Sequence, residues 1–135
     1  MELIWAEYDK HHNGGGKAKY EVYVSVSYYN KKWHLRISFA NKGYRVASAY
    51  GRLIHTEIMP NSTRIYFNFI PKETNDIIGR TLSKPKEKSE LMVATFPLSK
   101  IKAEIVRGKW VGCYKLEYDA DNHYYYIDIN TKEER

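Results

Sequence analysis

Residues 20–29 read YEVYVSVSYY and residues 32–39 read KWHLRISF, two alternating runs separated only by Asn30-Lys31. A two-residue loop between alternating runs is a hairpin signal, and the pairing then follows by counting. Tyr28 falls opposite Trp33, Val26 opposite Leu35, Val24 opposite Ile37 and Val22 opposite Phe39. All four pairs are apolar. The other face carries Ser27 beside His34, Ser25 beside Arg36 and Tyr23 beside Ser38. A slip of one residue would mix the two sets, so the pattern specifies its own register.

Further runs predict more of the same architecture. Residues 54–59 and 64–70, joined by Pro60-Asn61-Ser62-Thr63, predict a second hairpin with Ile65, Phe67 and Phe69 on one face. Residues 110–118 and 123–130 predict a third around the turn formers Asp119-Ala120-Asp121-Asn122. Its four-residue loop sets Tyr118 against His123, Leu116 against Tyr125, Tyr114 against Ile127 and Gly112 against Ile129. Cys113, Lys115 and Glu117 then share the opposite face with Asp128, Tyr126 and Tyr124. Residues 3–8 and 91–96 are shorter strand candidates, with Pro71 and Pro97 closing the runs before them.

Helical signal is scarcer. Residues 99–107 combine Ser99 as an N-cap, Ile101 and Ile105 at i,i+4 spacing and Gly108 as a stop. Residues 73–78 predict one helical turn ahead of Gly79. Residues 41–53 fit both periods: Tyr44, Ala47 and Tyr50 recur as on a helix, while Tyr44, Val46, Ser48 and Tyr50 alternate as on a strand. The tyrosines tip that reading towards a strand.

The expected fold is therefore mainly β, a β-rich α+β domain spanning residues 1–135. Its antiparallel hairpins form a bent sheet or open barrel of about eight strands with one or two short helices. Residues 33–70 and 91–130 echo one another weakly as strand, helix and hairpin. The stretch from Ile37 to Ile70 resembles the unit of swapped-hairpin transcription regulators of the AbrB type, with Met59-Pro60-Asn61-Ser62-Thr63 in place of their acidic-glycine turn.

No apolar run approaches the roughly 20 residues that span a bilayer. The first ten residues hold Glu2, Glu7 and Asp9 without an apolar core, and Cys113 has no disulfide partner in the chain. A cytoplasmic location is the expectation. The formal net charge is +6, concentrated in residues 1–71, where ten Lys or Arg meet five Asp or Glu; residues 72–135 hold twelve against eleven. An acidic partner should meet the first half.

Catalytic signatures are missing. The glycine-rich segment from Lys10 to Lys17 lacks the spacing of a phosphate loop and reads as a hairpin connection. His34, His55 and His123 fall one per hairpin, without metal-ligand spacing. Asp119-Ala120-Asp121-Asn122 lacks the glycine and the glutamate of a calcium loop. Cys113 faces a carboxylate, which disfavours a thiolate. The expectation is a non-enzyme without metal or cofactor.

The outer face of the first hairpin is the functional candidate. Tyr23 and Tyr29 flank Ser25, Ser27, His34, Arg36 and Ser38, with Lys31 and Lys32 at the turn and Lys17 and Lys19 at the entrance. Rings that stack on bases beside cations that meet phosphates point to nucleic-acid binding. The alternative is a small protein-interaction module, such as a phage or mobile-element inhibitor or adaptor that binds a host protein. Carbohydrate binding ranks third, and open strand edges allow a homodimer. Of the thirteen tyrosines, Tyr20, Tyr28, Tyr114, Tyr118 and Tyr125 are expected to pack, and Tyr23, Tyr29, Tyr124 and Tyr126 to face outward.

Overall fold

The first hairpin forms with the register that its alternation dictates. In the computed structural model, which describes residues 19–55, 62–72, 79–85 and 89–133, strand β1 (Val22–Tyr29) pairs antiparallel with β2 (Lys32–Ala40). Val22 meets Phe39, Val24 meets Ile37, Val26 meets Leu35 and Tyr28 meets Trp33. The turn holds Asn30 at φ 51° and Lys31 at φ 62°, the double left-handed geometry that matches strand twist in a two-residue loop. The strand expected at residues 3–8, Lys17 and its glycine-rich segment, and the helical turn at residues 73–78 lie outside the described residues.

Seven further strands follow: β3 (Arg52–His55), β4 (Arg64–Ile70), β5 (Arg80–Thr81), β6 (Leu91–Leu98), β7 (Gly112–Tyr114), β8 (Glu117–Asp119) and β9 (Tyr124–Asp128). They form two antiparallel sheets, one in the order β6-β2-β1-β7 and the other β5-β3-β4-β9-β8. The fold is thus mainly β with two short helices, as the sequence predicts. The runs β2 to β4 and β6 to β9 each supply strands to both sheets. Their first strands pair with each other through Ile37 and Ala94, and their last through Ile65 and Ile127.

The core lies between the sheets. Val22, Val24, Leu35, Ile37 and Phe39 project from one and Leu53, Ile65, Phe67 and Ile127 from the other, all fully buried or nearly so. Phe39 joins them through edge-on contacts with Phe67 at 5.5 Å and Phe69 at 5.4 Å. Such pairs add to what area burial alone contributes.

Four expectations change. Residues 41–53 are not mainly strand: Lys42–Ala47 forms helix α1, and only β3 at their end is extended. The reason is close packing, because α1 buries Gly43 and Ala47 at i,i+4, and a Cβ on Gly43 would stand 2.1 Å from the carbonyl oxygen of Glu21. Secondly, Gly108 does not end the second helix. Helix α2 (Lys100–Ile105) starts where predicted, with the Ser99 hydroxyl accepting from the Lys102 amide, but it widens into a π turn over Val106–Trp110. That turn delivers Trp110 into the core, where the Tyr114 hydroxyl donates to the Trp110 carbonyl at 2.6 Å.

The third change concerns residues 110–118, which are not one strand. β7 pairs with β1 in the first sheet, and the chain crosses at Lys115-Leu116 into β8 of the second. The hairpin with β9 therefore pairs Tyr118 with Tyr125 rather than His123. The faces survive because the shift is two residues. Cys113 sits beside Tyr23, and Asp128 lies opposite Arg64. Pro97 does not close its run either, since β6 continues to Leu98.

Candidate nucleic-acid interface

Alternation places Tyr23, Ser25, Ser27 and Tyr29 of β1 and Lys32, His34, Arg36 and Ser38 of β2 on the face of the first sheet turned away from the core. β6 widens that face with Val93, Thr95 and Pro97. Its two ends differ. Towards the turn, Tyr29, Lys31, Lys32 and Arg36 are exposed. Towards the other end, Ser38, Val93 and Cys113 are buried and Tyr20 lies against Tyr23 with ring centroids 5.5 Å apart. Burial raises the Tyr20 pKa above its ordinary value, as does the neighbouring Cys113.

At the turn end the rings of Tyr29 and His34 stack, with centroids 4.0 Å apart and planes inclined by 14°. Tyr29 is 49% exposed and has no second ring partner among the described residues, so one of its faces is available. Lys32 and Arg36 lie two residues to either side of His34 on the same face, about 7 Å each by strand rise. Among the described residues, Lys31, Lys32 and Arg36 form no salt bridge. The result is an aromatic stack between cations.

The opposite face of the same tip contributes residues that the sequence reading did not assign to the site. Tyr28 and Trp33 pair as expected, at 4.8 Å, but they overhang the core, and Tyr28 is 57% exposed. Arg107, from the π turn, lies 4.5 Å above the Trp33 ring. Trp33 is also opposite Leu98, and α2 begins two residues later with Lys100. Nothing in the local pattern of residues 99–110 says which hairpin they flank, so Arg107 was not legible as a neighbour of Trp33.

The structure does not bring all the predicted residues together. Lys31, Lys32, Tyr29 and His34 share the turn end, while Arg36, opposite Ser25, lies between that end and Tyr23. Tyr23 lies six residues along β1 from Tyr29, about 20 Å by strand rise. Lys19 precedes β1 and lines a separate cleft of about 290 Å³ with Tyr20, Glu21, Asn41, Lys115 and Glu133.

The outer face of the second sheet offers a contrast. Tyr66, Tyr124 and Tyr126 cluster there, with Tyr66 and Tyr126 centroids 5.5 Å apart. Its cation is occupied: the Arg64 guanidinium meets Asp128 at 3.3 Å, donates to the Tyr66 hydroxyl at 3.0 Å and lies 4.2 Å from the Tyr126 centroid. The bond to Tyr66 is the main cause of its raised pKa. Asp119 is held below the usual carboxylate range, first by the Asn122 side chain and then by the amides of Asn122 and Asp121.

Among the described residues no group of His, Cys, Asp or Glu could hold a metal ion, and no helix is long and apolar enough to cross a membrane. Comparison with protein-family models, curated proteins and solved structures found no significant match.

Proposed function

We propose that this chain is a non-enzymatic nucleic-acid-binding protein that works through the turn end of the β1–β2 hairpin. The observation that carries the reading is the exposed Tyr29 ring stacked on the half-buried His34 and set among Lys31, Lys32 and Arg36, cations without salt-bridge partners among the described residues. Free cations release counterions when they meet phosphates, and stacked rings give a surface for bases. On the second sheet the cation beside the tyrosine cluster, Arg64, is instead held by Asp128.

The test is a fluorescence-anisotropy titration of labelled oligonucleotides at several salt concentrations. About three phosphate contacts should give a slope of log affinity against log salt between about −2 and −3. Replacing Lys31, Lys32 and Arg36 together by Glu should abolish binding even at the lowest salt. A triple variant that binds like the parent would place the interface elsewhere.

One observation favours a second reading, a protein-interaction module. Tyr28 is 57% exposed, and Ile101, on the first turn of α2, is 72% exposed. Large apolar side chains of this kind anchor protein interfaces. On that reading, Tyr28→Ala should weaken capture of a stoichiometric partner from nuclease-treated extract, and the triple charge variant should not.

A further inference from the structure

Resting on the nucleic-acid reading, we infer that the ligand is single-stranded: unpaired bases stack on Tyr29, and duplex is the poorer substrate. The argument is one of width. B-form duplex shows base edges in a major groove about 12 Å wide, which admits a helix or a two-stranded ribbon. The β1–β2 hairpin is not such a ribbon, because β6 pairs with β2 from Ala40 to Trp33 and leaves only the Tyr29–Lys32 pair and the turn beyond it. Three strands about 4.8 Å apart already span about 10 Å between their outer backbones, before any side chain is added. A sheet of that breadth stays outside the groove.

An unpaired strand has no such barrier. Its bases turn their faces outward, and an aromatic ring on an open sheet takes them regardless of sequence. Tyr29 has the required geometry: one ring face rests on His34 at 4.0 Å, and among the described residues no other ring packs on the second. Lys32 and Arg36 flank the stack along β2, where a backbone running along that strand can meet both.

The experiment compares a fluorescein-labelled single strand of mixed sequence with the duplex formed on its complement, at low salt, for the parent, Tyr29→Ala and Tyr29→Phe. Tyr29 is exposed, and an unchanged thermal midpoint checks that each variant folds. The expected result is single-strand binding at least about tenfold tighter than duplex, a preference lost in Tyr29→Ala and kept in Tyr29→Phe. Equal affinity for the two ligands, or a preference that survives Tyr29→Ala, overturns this inference and leaves the nucleic-acid reading standing. Binding of neither ligand overturns both.

Discussion

Lys31 holds φ at 62°, a conformation that costs an L-residue about 1–2 kcal/mol and that glycine adopts freely. Asn-Gly is the sequence best suited to this turn, so lysine at its second position puts a charge at the hairpin tip against a local conformational cost. Lys31→Gly should therefore raise stability by about 0.5–1 kcal/mol in urea unfolding while weakening oligonucleotide binding and making the salt slope shallower by about one. If both stability and binding fall, the turn is not strained as described. At this scale the sequence was most informative about faces and least about depth. Tyr28 and Trp33 were read correctly as partners, yet Tyr28 is half exposed, because alternation says which way a side chain points and not where the core stops.

The helices show how tertiary contact overrides local preference. Alanine is a better helix former than glycine by about 1 kcal/mol, so propensity alone favours Gly43→Ala. The added Cβ would meet the Glu21 carbonyl, a backbone atom that already accepts from the Ala40 amide at 3.0 Å and cannot swing aside. Gly43→Ala should lower stability by about 1–2 kcal/mol net, read as a drop in thermal midpoint. An unchanged midpoint would mean that α1 does not dock closely on the residue preceding β1. The same docking explains why the tyrosine pattern of residues 41–53 misled: a two-residue period and a helical period coincide over so short a stretch, and the deciding contact comes from a residue 22 positions away. The hairpin of β8 and β9 failed differently. Alternation defines a register only to within two residues, and the turn must supply the rest; here Asp119 accepts from the amides of Asp121 and Asn122 and moves the loop to residues 120–123. By contrast, β1 and β2 are adjacent in sequence with a loop of fixed length, and every pair was legible.

At the scale of the whole molecule, burial makes two tyrosines resist charge. Tyr114 is fully buried and its pKa is raised, first by desolvation and then by Cys113; Tyr20 is raised for the same two reasons. An acid whose folded pKa lies above its unfolded one keeps a proton that the unfolded chain gives up, so stability declines as pH rises past the unfolded value of about 10. Urea midpoints at about pH 9 and about pH 11 should fall in that order, with a single transition at each. Tyr114→Phe should lose about 1 kcal/mol at neutral pH, for the bond to Trp110, yet decline less in alkali. An alkaline loss unchanged in Tyr114→Phe would exclude Tyr114 as its source. Strand β6 is one edge of the first sheet. Ser83 exchanges both backbone bonds with Val93, which shows that Val93, Thr95 and Pro97 turn their peptide groups away from β2. Val93 is thereby occupied and proline has no amide to give, so between Val93 and Leu98 only Thr95 offers an outward N–H. Among the described residues, a second copy approaching β6 would find almost no ladder to join at that edge.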